Sequence, residues 1–137
     1  MKIHKLTLKI LSKVCPLPNT PADGLLKKNI HANLDGNNLM IQPRQSAKIS
    51  LGYSIDIPEG WVAMITTNTQ LYQQKRLRIA EGVVILDSKY KDEWFITLAS
   101  DSSSTEIVEN NEKIADVVFM KAKNVVFYPA IKRDTHE

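Results

Sequence analysis

Cysteine is almost missing from this 137-residue chain, and the single Cys15 rules out an intrachain disulfide. That fits a reducing compartment without requiring one. Histidine is scarce too. His4, His31 and His136 show neither i, i+4 nor Cys/His spacing, which excludes a recognisable protein metal site. No apolar run approaches the ~20 residues that a membrane-crossing helix needs. The opening MKIHKLTLKIL interleaves lysines with its apolar residues, so it lacks the continuous core of a signal peptide and reads as a strand. The expected location is cytoplasmic. Repeats and linkers are absent as well, and 137 residues make one expected domain, 1–137, long enough to bury a core without staples.

What is present describes an ordinary globular protein, 43% hydrophobic and 24% charged, with a formal net charge of +3. Basic residues gather at Lys27 and Lys28 and again at Lys75, Arg76 and Arg78. Neither group carries interleaved aromatics or a nucleic-acid motif, which makes solvated surface the ordinary reading and phosphate contact the lesser one.

Short β-prone segments follow one another along the chain. Residues 3–11 alternate Lys5, Thr7 and Lys9 with Leu6, Leu8 and Ile10, the period of a half-buried strand. Breakers at 19–24 and 35–38 leave a short strand between them, and 39–43 supplies another. Residues 49–57 read as one strand that reaches Pro58-Glu59-Gly60, a type I turn in this reading, and returns through 61–66 as a hairpin. Residues 70–76 form the one helix-compatible run, with Asn68 or Thr69 as its cap. Residues 106–109, 114–120 and 125–128 read as the closing strands. About ten strands and one small helix predict an all-β barrel or sandwich.

The stretch EGVVILDSKYKDEWFITL, residues 81–98, organises the functional reading. Two apolar runs flank a loop or hairpin tip that displays Asp87, Ser88, Tyr90 and Glu93. A carboxylate at a strand end can orient and deprotonate a water, and a tyrosine three residues on can offer its ring to a flat ligand. Taken alone, the commoner reading is a polar tip, since loops collect Asp, Ser and Lys for turn reasons.

The segment from Ile85 to Glu93, ILDSKYKDE, resembles the third motif of the trimeric dUTPases, G-V-I-D-S-D-Y-R-G-E. The resemblance extends over about residues 2–128. It runs through KIHKLTLKIL and PLP, the scaffold segment SLGYSIDIPEGW, and NEKIADVV, in that order. It implies a homotrimer of β-barrel, jelly-roll-like (β-clip) subunits, with Asp87 as the water-activating base and Tyr90 packing on the deoxyribose, and Ser88 beside them. The match departs from the pattern elsewhere. Lys89 stands for the second Asp of the third motif, Asp92 for its Gly and Val84 for its leading Gly. Asn29 takes the Asp position of the first motif, and Asn68 takes the phosphate-gripping Arg of the second, although Thr69 keeps a hydroxyl at the Ser position. Asp116 replaces the Gln of the fourth motif. The tail 129–137 lacks the Gly-rich fifth motif, so its backbone cannot wrap phosphate as that arm does.

An amide cannot replace a guanidinium's charge-assisted grip on phosphate, and a carboxylate facing phosphate is repelled. The preferred expectation is therefore a dUTPase-fold trimer impaired or inactive in hydrolysis, serving as a binding or structural interaction module for a protein partner. The alternative is a divergent dUTP diphosphatase that binds a deoxynucleotide, with Mg²⁺ carried by the phosphates and no further cofactor. A dCTP deaminase reading fits less well, because the G-R-S-S-x-x-R pattern is absent.

Overall fold

The computed structural model describes residues 6–10 and 26–130. Eleven strands and one helix occupy them: β1 (Thr7–Ile10), β2 (Lys27–His31), β3 (Leu39–Ile41), β4 (Ser46–Ser50), β5 (Tyr53–Asp56), β6 (Trp61–Thr67), α1 (Thr69–Lys75), β7 (Leu77–Ile79), β8 (Val83–Asp87), β9 (Phe95–Ser100), β10 (Glu106–Val108) and β11 (Lys113–Lys121). They build four antiparallel sheets, ordered β2-β11-β6-β8, β4-β9-β7, β1-β5 and β10-β3. The predicted all-β class with one short helix is what forms. The strand predicted at 3–11 begins and ends outside the described residues, as do the PLP turn and the tail from 131 onward.

All four sheets contribute to one core, in which Ile30, Ile41, Ile49, Tyr53, Ile65, Leu77, Trp94, Leu98, Ile114 and Val117 are almost completely buried. Alternation decides which side chains enter it. Along β8 the half-buried Val84 and Leu86 point inward, while Val83, Ile85 and Asp87 are exposed.

Four expectations need correction. Residues 49–57 do not form one strand. The chain breaks at Leu51-Gly52, with Gly52 at φ 85, so β4 pairs with β9 and β5 with β1. The predicted hairpin is consequently absent. β6 turns away from β5 and pairs with β11 and β8. The connecting turn runs from Pro58 to Trp61, closed by Trp61 N–H donating to the Pro58 carbonyl at 3.1 Å. Gly60 occupies its third position at φ 85, a value that a type I turn excludes and a type II turn requires. Finally, the β-prone residues 125–128 form no strand. All of 122–130 is exposed and without regular structure, because strand propensity is realised only against a neighbouring strand.

Candidate active site

Asp87 is the last residue of β8, and its carboxylate is shaped by the turn that follows. Its Oδ1 accepts from Lys89 N–H at 3.0 Å, and its carbonyl accepts from Tyr90 N–H at 3.1 Å. Ser88 and Lys89 are the central residues of that turn. An Asp at the head of such a turn holds the backbone in place of water, while its second oxygen stays in solvent. β8 and β9 do not pair with each other, so the connection between them is a crossover from one sheet to another and not a hairpin tip.

Trp94 pins this crossover. Its ring is 1% exposed, stacked on Phe119 with centroids 6.3 Å apart and tilted against Tyr53 at 6.1 Å. Its backbone bonds to the break between β4 and β5, Leu51 N–H to the Trp94 carbonyl and Trp94 N–H to the Tyr53 carbonyl, both at 2.9 Å. Glu93 adds a third tie by accepting from Gly52 N–H at 2.8 Å. The Tyr90 hydroxyl then donates to the Glu93 carbonyl at 3.0 Å. Burial, with the neighbouring Asp92 and Glu93 charges behind it, raises the Tyr90 pKa and keeps the phenol a donor. One face of Tyr90 closes a small cleft of about 60 Å³ that Val84, Leu86, Phe95 and Ile96 also line, with Glu81 and Thr97 as its polar groups. The positioning role of Trp94 escapes the linear motif, which ends at Glu93, although a tryptophan directly after a polar loop is the signal that could have found it.

The second cluster lies at the other end of β6. Asn68 caps α1, with its Oδ1 accepting from Leu71 N–H at 3.1 Å. Its Nδ2 donates to Asp116 at 3.3 Å. Asp116 is 3% exposed, and its other oxygen faces the Lys27 ammonium at 3.8 Å. Asn29 sits across the β2–β11 ladder from Asp116. The three motif positions Asn29, Asn68 and Asp116 thus lie together, and two of them are engaged with each other. Thr69 is exposed beside them. It lines an open cleft of about 390 Å³ with Thr67, Tyr72, Gln73 and Arg78.

The two clusters do not meet within one chain. Val62 is the partner of Asp87 across β6 and β8, and Asn68 lies six residues further along, roughly 20 Å at the rise of an extended strand. Between the two clusters the face of this sheet that carries Asp87 is apolar. Val62 and Met64 of β6 line up with Ile85 of β8 and with Val118 and Met120 of β11. Among the described residues no three His, Cys, Asp or Glu side chains converge as metal ligands, and no helix is long and apolar enough to cross a membrane.

No protein-family profile matches the chain. It is 30% identical to the deoxyuridine 5'-triphosphate nucleotidohydrolase of Desulfitobacterium hafniense over 123 residues, covering 89% of this chain and 81% of the relative. It is also 30% identical to the Chlamydia muridarum enzyme of that name over 111 residues, 81% of this chain and 76% of the relative. Among solved structures, the dUTPase of Staphylococcus bacteriophage 80alpha superposes with a TM-score of 0.81 at 17% identity, over 96% of this chain and 99% of that one. The dUTPase of phage phi11 of S. aureus gives 0.81 at 15% identity, over 96% and 99%. A second structure of the phi11 protein, at TM-score 0.74, is described as revealing the coordination of a structural Mg(II) ion. With sequence overlap across most of both chains, and the same fold over nearly all of this one, the chain belongs to the deoxyuridine 5'-triphosphate nucleotidohydrolase family.

Proposed function

We propose that the chain is a divergent dUTP diphosphatase, converting dUTP and water to dUMP and pyrophosphate in an assembly of identical subunits. The observation that carries this reading is Asp87, solvent-facing at a strand end and held by its own turn, on the position of the family's water-activating base. In the proposed step Asp87 takes a proton from a water as that water attacks the α-phosphorus, and pyrophosphate leaves. Tyr90 supplies the flat wall against which the sugar packs. Mg²⁺ carried by the triphosphate would supply neutralisation of the departing charge.

The separation of Asp87 from Thr69 supports a site completed by a second copy, with Asp87 from one subunit facing the Thr69 cleft of another. The apolar face formed by Val62, Met64, Ile85, Val118 and Met120 supports the same arrangement, since a contiguous apolar surface beside a polar rim is the usual mark of a subunit contact. We infer a homotrimer from the family likeness. The replacements at Asn68 and Asp116 lower the rate, and losing one preorganised electrostatic group costs about 10²–10³.

Pyrophosphate release from dUTP with Mg²⁺ tests the reading, with Asp87→Asn as the comparison. The variant keeps the acceptor for Lys89 N–H and removes the base. Release that falls by about 10²–10⁴ in the variant supports the hydrolase. Equal background release from both would overturn it and leave a trimeric binding module as the account.

A further inference from the structure

We propose that Arg78 supplies a polyphosphate grip from outside the family's motifs, so that the cleft between α1 and β7 binds the phosphate chain of the substrate. The inference rests on the hydrolase reading for its substrate and on the geometry of this cleft for its site. β7 is short, and alternation buries Leu77 and Ile79 while turning Arg78 outward. Arg78 lines the cleft together with Thr67, Thr69, Tyr72 and Gln73.

Arg78 is fixed in place. Its Nε donates to Asp101 at 2.9 Å, and its Nη1 donates to the Ala80 carbonyl at 3.2 Å and the Ile79 carbonyl at 3.5 Å. The Nη2 group takes part in none of these bonds. Asp101 is held in turn by the Tyr72 hydroxyl at 3.1 Å. A fork pinned on one side and open on the other has lost little further freedom when it meets an anion.

The neighbours are suited to the same ligand. Thr67 Oγ1 accepts from Ile79 N–H at 2.9 Å, which leaves its own proton to donate. Thr69 offers a second hydroxyl, and Gln73 an amide. Arg76 lies close by, its guanidinium carbon 5.2 Å from the centre of the Tyr72 ring. Two guanidinium groups therefore act against the single Asp101 carboxylate, and the local balance favours an anion. Lys75 does not contribute, because its ammonium pairs with Glu112 at 2.9 Å. The cleft opens next to Asn68, where the family's own guanidinium is lacking, and Arg78 replaces that charge from a different strand.

Calorimetric titration with inorganic tripolyphosphate at low salt tests the assignment, using the wild type, Arg78→Gln, Arg78→Lys and Asp101→Asn. Arg78→Gln should weaken binding at least about tenfold and Arg78→Lys by less, as expected for a charged hydrogen-bonding fork. Asp101→Asn keeps an acceptor for both Arg78 and Tyr72 and removes the opposing charge, so it should bind more tightly than wild type. In steady state Arg78→Gln should raise KM for dUTP more than it lowers kcat, and affinity for dUMP should move far less than affinity for dUTP. Tripolyphosphate affinity unchanged in a folded Arg78→Gln protein, or no binding by the wild type, overturns the proposal. Failure of the hydrolase reading looks different, as tripolyphosphate binding that depends on Arg78 without turnover of dUTP.

Discussion

Asn68 donates to Asp116 at 3.3 Å while its other amide atom caps α1, so the residues standing in for the family's Arg and Gln are partners of one another. Each substitution makes sense only with the other. A guanidinium at position 68 would fall on a buried carboxylate and be neutralised there. An amide instead satisfies that carboxylate and the helix end together.

Restoring the phosphate grip therefore takes two changes. Asn68→Arg alone should cost about 1 kcal/mol of stability through the lost cap and leave dUTP turnover nearly unchanged. Combined with Asp116→Gln, it should raise pyrophosphate release about tenfold or more above either single variant. A double-mutant cycle on initial rates reads the coupling directly. Additive effects would mean that Asp116 does not hold the position 68 side chain.

The cleft beside Tyr90 is narrow because Val84 and Phe95 fill its walls, and the Lys48 ammonium lies 4.2 Å from the Phe95 ring centre. Val84→Gly should widen it and lower KM for dUTP several-fold, with Val84→Ala between. The cost is lost burial plus a flexible residue inside a strand, together about 1–3 kcal/mol. Initial-rate curves and urea melts on the three proteins check both halves.

His31 gives stability a pH dependence near neutrality. It is half-buried opposite Lys113, its Nδ1 has no hydrogen-bond partner, and burial first, then Lys113, lowers its pKa from 6.5. The unfolded chain therefore takes up the proton before the folded one does. The contribution is intact above 6.5 and is lost as pH falls below it. Urea midpoints should drop between pH 7.5 and 5.5, and His31→Gln should flatten that slope. An identical slope in the variant would assign the effect to other groups.

Arg76 ends α1 in the left-handed conformation, at φ 57 and ψ 30, with its N–H donating to the Tyr72 carbonyl. Glycine takes that conformation without a Cβ penalty. Arg76→Gly should raise stability by up to about 1 kcal/mol, less what the contact with the Tyr72 ring contributes. Thermal melts measure the gain. Affinity for tripolyphosphate should fall modestly in the same variant, since it removes a guanidinium group that lies beside the cleft without lining it.

Local chemistry was readable from the residues. Asn68 and Thr69 before a glutamine-rich run mark the helix start, with Asn68 the cap that forms, and the polar interval after Leu86 places Asp87 at an exposed strand end. Pairing was not readable. Nothing in the alternation of residues 49–57 separates a single strand from two that serve different sheets, because Leu51 and Gly52 are both buried and continue the apolar run. β7 is three residues long, too short for a period to declare itself. The bond from Asn68 to Asp116 joins positions 48 apart, a contact that exists only once β6 and β11 lie side by side. The tail at 122–130 had strand-forming residues without a strand to join.

The distance along β6 between the two clusters has a stoichiometric consequence. If each site draws its base from one subunit and its phosphate cleft from another, chains ruined in different halves can complement. Asp87→Asn and Arg78→Gln proteins, each weak alone, would regain release when unfolded together and reassembled, because some mixed assemblies pair an intact half with an intact half. Random mixing sets a ceiling on that recovery. Activity would also vanish on dilution faster than protein concentration, since a lone subunit holds two incomplete halves and no whole site.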